Sequence, residues 1–278
     1  MRAVVDDLGG EVLLPEGAVS RVVSLVPSLT EALAATRREA LVGATEWCTH
    51  PPDLQVPRVR GTKNPDRAAV GALEPELVVC VQEENRELDV RRLRDAGIPV
   101  WVGVVESVED ALRVLRTLLL DVLAWEEPAW LTEVGRRWAA TSEAPTRARV
   151  AVPIWRDPWM VVGARTYTTD LLRRAGLDNV YAGDEGRYPK VEVDELDRAG
   201  ADVVLLPDEP YVFTAQDGPE AFTRSATRLV SGRLLTWYGP AMVEAADLLA
   251  SVRADQREEG TDTSSGGAAL DEMGREHG

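Results

Sequence analysis

The chain holds only two cysteines, two histidines and two phenylalanines in 278 residues. Cys48 and Cys80 are too far apart for a zinc knuckle or a redox CxxC pair. Cys80 sits in the apolar run Leu77-Val78-Val79-Cys80-Val81 and reads as a small core residue. GxxxxGK[ST], GxGxxG, GxSxG and HExxH are all missing, so the common nucleotide, acyl-transfer and metalloprotease signatures are absent. No window approaches the ~20 apolar residues of a spanning helix. Basic residues are outnumbered 47 to 31 by acidic ones, giving a net charge of −16. Such a surface repels phosphate backbones and anionic lipid, which argues against nucleic acid or a membrane as partner. No apolar stretch of signal-peptide length opens the chain, and two aspartates follow Arg2. As written, it reads as cytoplasmic. The alternative is an extracytoplasmic protein whose leader has been removed.

What is present is a repeating α/β pattern. Val4–Asp7, Gly9-Gly10 and Glu11–Leu14 predict a hairpin. Arg21–Leu25, Leu41–Ala44, Leu77–Val81 and Pro99–Val104 are expected strands, alternating with helices over Pro65–Leu73 and Leu88–Ala96. Ser28 and Glu31 read as a capping box opening a helix. A long amphipathic helix starts at Ser107, and Pro128 opens a second one. A second unit follows, with strands at Arg149–Ile154, Asn179–Ala182, Asp202–Leu206 and Leu234–Trp237. Its helices cover Val191–Ala199 and a stretch capped by Thr168 or Thr169. Pro240 starts the last helix. The expected fold is α/β, two Rossmann-like lobes with mainly parallel sheets joined by a single long linker helix. Its expected bounds are 1–125 for the first lobe, 126–146 for the linker, 147–252 for the second lobe and 253–278 for a disordered tail.

Ligands of open parallel sheets sit beyond the carboxyl ends of the strands. Trp47, Trp155 and Trp159 follow expected strands, Trp237 and Tyr238 end the last one, and Tyr167 precedes a helix. Pro27 and Ser28 leave the first strand. The loop Trp47-Cys48-Thr49-His50-Pro51-Pro52 offers Cys48 and His50 as axial metal ligands; its other reading is a proline-stiffened loop. Lys63, between Thr62 and Asn64 and before a helix, could hold an anionic group.

The order of these segments resembles class III periplasmic binding proteins, the helical backbone metal receptor group. Arg21-Val-Val-Ser-Leu-Val-Pro-Ser-Leu-Thr-Glu, Gly61-Thr-Lys-Asn-Pro-Asp and Ala72-Leu-Glu-Pro-Glu-Leu-Val-Val carry the likeness in the first half. Tyr167-Thr-Thr-Asp-Leu-Leu and Ala201-Asp-Val-Val-Leu-Leu-Pro carry it in the second. The resemblance is closest to the cobalamin-binding branch. It implies a cleft for cobalamin, haem or an iron–siderophore, with contacts from loops around Trp47, Thr62 to Asn64, Gln82 to Asn85, Trp155 to Trp159 and Trp237. No cofactor is required; a corrinoid, haem or ferric siderophore would be the ligand. Exported members carry one acidic residue on each lobe for docking on an ABC permease. Ala68 and Gly239 stand at those positions, which puts the docking in doubt. The alternative functions are an enzyme using His50, Cys48, Glu83 or Glu84, and a regulatory interaction module.

Overall fold

The computed structural model describes residues 1–139 and 145–262, with side chains through Val252. β1 (Arg2–Val5) pairs antiparallel with β2 (Glu11–Leu14), and Gly9 at φ +81° makes the turn. β3 (Val22–Ser24) leads into α1 (Pro27–Arg37), then β4 (Leu41–Ala44). A small antiparallel pair follows, β5 (Arg60–Gly61) with β6 (Asn64–Pro65). Next come α2 (Arg67–Ala72), β7 (Leu77–Val81), α3 (Glu87–Asp95) and β8 (Val100–Gly103). The first sheet runs β4-β3-β7-β8, all parallel. Every residue of β7 and β8 is buried, because helices cover both faces. That is why these strands show continuous apolar runs without alternation.

α4 (Val108–Arg116) is capped by Ser107, whose hydroxyl accepts from the Asp110 amide at 3.0 Å. It continues as a π-helical turn over Thr117–Val122. The connection to the second lobe runs through α5 (Ala129–Ala139), inside the expected 126–146 span. Residues 140–144 lie outside the described ones. The apolar stripe of α5, Leu131, Val134 and Trp138, is buried. Trp138 donates its indole N–H to the Met242 carbonyl at 2.9 Å, tying α5 to the last helix. One apolar cluster runs without a break from Val22 and Leu77 in the first lobe to Val150 and Val203 in the second. The lobes therefore share a core at this side of the molecule.

The second lobe contains β9 (Ala148–Ala151), β10 (Pro153–Trp155), β11 (Met160–Val161), α6 (Tyr167–Arg174) and β12 (Leu177–Asn179). α7 (Val193–Leu196), β13 (Val203–Pro207), β14 (Ala226–Val230), α8 (Gly232–Thr236) and α9 (Ala241–Asp262) complete it. Its sheet runs β12-β9-β13-β14, again all parallel. α9 continues ten residues past the expected lobe end at 252. Residues 263–278, where the tail and His277 fall, lie outside the described residues.

Three local expectations change. Leu234–Trp237 is not a strand: α8 occupies Gly232–Thr236, and the fourth strand is Ala226–Val230. That strand is only partly buried and of mixed polarity, so it shows neither alternation nor a continuous apolar run. The helix after β3 is not capped by Ser28. Val26 is its N-cap and Pro27 its first residue, because proline presets φ and lacks the N–H that would go unpaired. The cap of α6 is Thr166, not Thr168 or Thr169; its hydroxyl accepts from the Thr169 amide at 3.2 Å. Thr168 instead donates to the Leu235 carbonyl at 3.0 Å.

Candidate functional site

Parallel strands put all their carboxyl ends on one edge of each sheet, so the loops that follow them gather there. In the first lobe the loop after β4 carries Trp47, Cys48 and His50. Arg58 holds it in shape, donating to the carbonyls of Thr45 (3.1 Å), Cys48 (3.0 Å) and Leu54 (3.2 Å). Cys48 lies beneath it, fully buried, with the Thr30 hydroxyl donating to its sulfur at 3.0 Å and the Thr45 hydroxyl 3.1 Å away. Trp47 stands out of the loop at 64% exposure. Its indole lies against Gly61, where an added Cβ would come within 3.1 Å of the ring nitrogen and 2.6 Å of Asn64 Oδ1. Glycine is what permits this close approach.

Cys48 is not placed to ligate a metal. Burial raises its thiol pKa, and two threonine hydroxyls occupy its surroundings, so it is a neutral core group rather than a thiolate facing the cleft. Among the described residues no group of three histidines, cysteines or carboxylates is arranged to hold a metal ion. His50 is half-buried, shares a 3.1 Å hydrogen bond with the Thr49 hydroxyl, and meets Trp237 edge-on at 5.5 Å.

The other expected positions divide into open and structural ones. Lys63, Asn64 and Gln82 are exposed, and Thr62 and Pro27 half-buried. Asn85 is a buried staple: its Oδ1 accepts from the Val81 amide, and its Nδ2 donates to the carbonyls of Leu25 and Thr62. Ser28 is buried in α1. Trp155 is 44% exposed and meets Tyr211 edge-on at 5.7 Å. Trp159, four residues on, turns inward and stacks on Phe213 at 5.7 Å, inside the second lobe. Tyr167 and Tyr238 are likewise buried, edge to face at 5.6 Å, and belong to the shared core. Trp237 follows α8 rather than a strand and is buried at the lobe junction against His50. Two tryptophans, one from each lobe, thus remain open: Trp47 and Trp155.

Several residues at the junction were not singled out by sequence. Arg187 and Tyr188 sit between β12 and α7. With Lys63, Gln82, Glu83, Val104, Val105 and Glu106 they line a hollow of about 450 Å³. Arg187 donates to Glu83 at 2.8 Å and to Glu106, and the Tyr188 hydroxyl donates to Glu83. The only sequence signal was an arginine and a tyrosine in the glycine-rich stretch Gly183–Lys190. A larger hollow of about 690 Å³ lies between α4, α5 and the end of α6. Its wall takes no loop from the carboxyl edge of the second sheet, so the smaller hollow is the one the fold's architecture marks as the ligand side. Beside it stands Glu84. Withdrawal from water, together with the charge of Glu83, pushes its carboxyl up to about 8, with Lys63 acting the other way and Glu209 of the second lobe adding to the rise.

Each lobe thus carries one exposed indole, Trp47 or Trp155, and a separate set of polar groups from both lobes lines the hollow; exposed aromatic faces suit a flat ligand. No family model matches the chain. It is 28% identical over 191 residues to the vitamin B12-binding protein of Salmonella typhi, covering 64% of this chain and 69% of that one. The periplasmic vitamin B12 binding protein of Vibrio cholerae superposes with a TM-score of 0.68 at 16% identity, over 87% of this chain and 99% of that chain. A periplasmic haem-binding protein of Pseudomonas aeruginosa superposes with a TM-score of 0.70 at 22% identity, over 84% and 92%. The chain therefore has the two-lobed fold of the class III periplasmic binding proteins, the group its sequence resembles.

Proposed function

We propose that the chain binds a corrinoid or a related flat metal chelate between its lobes and carries out no chemistry on it. The observation that carries this reading is the placement of Trp47 and Trp155 on the carboxyl edges of two separate parallel sheets, both left open to solvent. Stacking and desolvation on such rings supply affinity without any positioned acid, base or nucleophile. The relatives named for vitamin B12 support a corrinoid, and the haem-binding neighbour supports a tetrapyrrole more broadly. The names of these relatives describe binding proteins, and no observation favours the enzyme alternative.

The neighbours named periplasmic support the extracytoplasmic alternative for localisation, and no comparison supports the cytoplasmic reading. At the two positions considered for permease docking, Ala68 is exposed on α2, whereas Gly239 is buried against Ala32 and Ser28 of α1. A side chain at position 239 would meet Ala32 at a backbone φ of +129°, which supports the reading that docking charge is missing there. Asp66, near Ala68, caps α2.

The test is a tryptophan-fluorescence titration with cyanocobalamin, cobinamide, haemin and a ferric siderophore. Saturable quenching by cyanocobalamin or cobinamide is expected. Failure of all four to quench saturably would overturn the reading.

A further inference from the structure

Among the described residues, two sets of ion pairs cross from one lobe to the other, and they differ in burial. Arg233 of α8 meets Glu31 of α1 with side chains 14% and 9% exposed. Arg187 meets Glu83 and Glu106 with side chains 30%, 29% and 43% exposed, at the rim of the 450 Å³ hollow. The segment carrying Arg187 is fixed to the second lobe. Gly163 donates its amide to the Arg187 carbonyl at 2.8 Å, and Val161 donates to the Pro189 carbonyl at 3.1 Å. A Cβ on Gly163 would lie 2.3 Å from the Gly186 carbonyl oxygen, so the two backbones are in direct contact. Glu83 and Glu106 follow β7 and β8 in the first lobe. The Arg187 bonds therefore report directly on the separation of the lobes.

We propose that Arg187 and Tyr188 form a latch over the cleft, which must part from Glu83 and Glu106 for a ligand to enter or leave. This rests on the cleft being the binding site. Partly exposed ion pairs contribute about 0–1 kcal/mol each and weaken as salt screens them, so the latch opens at modest cost. The Glu31–Arg233 pair is nearly buried, so salt screens it less and it holds the junction when the Arg187 bonds part. The latch is anchored by backbone bonds to the second lobe and meets two separate strand-end loops of the first, so parting the lobes at the hollow breaks its bonds.

The test uses the full chain with nitroxide labels at Ala68→Cys and Glu192→Cys, one exposed position on each lobe. The native Cys48 and Cys80 are buried and stay unlabelled. Interlobe distances are measured by pulsed electron paramagnetic resonance at about 0.05 M and about 1 M salt. They are measured for the unsubstituted latch and for Glu83→Gln with Glu106→Gln. High salt and the double substitution should both extend the distance distribution toward longer values. In stopped-flow quenching, the double variant should take up cyanocobalamin roughly 3- to 10-fold faster. Distances that ignore both salt and substitution overturn the latch, whatever the ligand. Distances that respond while the association rate stays unchanged overturn its gating role. Distances that respond in a chain that binds none of cyanocobalamin, cobinamide, haemin or a ferric siderophore support the latch while removing the corrinoid reading. The salt experiment on the unsubstituted latch keeps the test independent of how the variants fold.

Discussion

Arg233 and Glu31 stand 202 residues apart in the chain and meet across the lobe junction, the Nε of Arg233 donating to Glu31 Oε1 at 3.1 Å. Both side chains are nearly buried, and Glu31 Oε2 is buried with no partner of its own. Arg233 also donates to Glu244 at 3.1 Å. Arg233→Met leaves the buried Glu31 carboxylate uncompensated and should destabilise the fold by about 3–5 kcal/mol, whereas Glu31→Gln should cost less because Arg233 keeps Glu244. Replacing both with apolar side chains should recover most of that loss. Urea unfolding of the two single variants and the double one checks this; additive losses would show that the pair is not coupled.

Trp47 and Trp155 on one hand, and Trp159 on the other, should separate binding from stability. Trp47→Ala and Trp155→Ala remove exposed rings and should change unfolding free energy by less than about 1 kcal/mol. Each should weaken cyanocobalamin binding roughly tenfold or more. Trp159→Ala empties a buried site stacked on Phe213 and should cost about 3–5 kcal/mol of stability. Denaturant midpoints read beside fluorescence titrations decide it. A Trp47 variant of unchanged affinity would remove that ring from the site.

Cys48 should resist alkylation in the folded chain. Its thiol is fully buried, its pKa is raised by that burial, and it is bonded by Thr30 and Thr45. Iodoacetamide at pH 8 should modify neither cysteine until the chain is unfolded, after which both should react. Rapid native modification at position 48, seen by mass spectrometry, would place the thiol at the surface instead.

Glu84 should make stability fall with rising pH. Its folded pKa of about 8 lies above the ordinary value of 4.5, so between those limits the unfolded chain has released a proton that the folded chain retains. Stability contributed by the protonated carboxyl is complete below pH 4.5 and is lost as pH rises to 8. Glu84→Gln removes this dependence. The variant should gain on the order of 4 kcal/mol relative to the parent at pH 8, and little at pH 4.5. Thermal melts across that range provide the measurement, and parallel curves would contradict it.

Much of the fold could be read from the sequence. Leu77–Val81, Pro99–Val104 and Asp202–Leu206 declare themselves as strands because parallel strands buried on both faces need apolar residues at every position. Ser107 and Pro128 declare helix starts because capping and proline geometry are local. That Trp47 and Trp155 come at the carboxyl ends of strands was legible, but their openness, against the burial of Trp159 and Trp237, was not. Trp159 shows where that reasoning ends. It is four residues from Trp155 in the same hairpin, yet it faces inward because Phe213 and Phe222, from a loop about 60 residues on, lie there to receive it.

The sequence by itself determined the first parallel sheet, the buried strands of the second, the connecting helix and the edge on which the loops collect, because these follow from hydrophobic periodicity and backbone chemistry acting over a few residues; the edge strand β14 it did not mark. Only the tertiary structure decided which side chains meet across the gap. Arg187 with Glu83 and Glu106, Arg233 with Glu31, and His50 against Trp237 join residues about 80 to 200 positions apart. Charge pairing and ring packing at that range leave no periodic trace in the chain. They depend on how the shared core sets one lobe against the other.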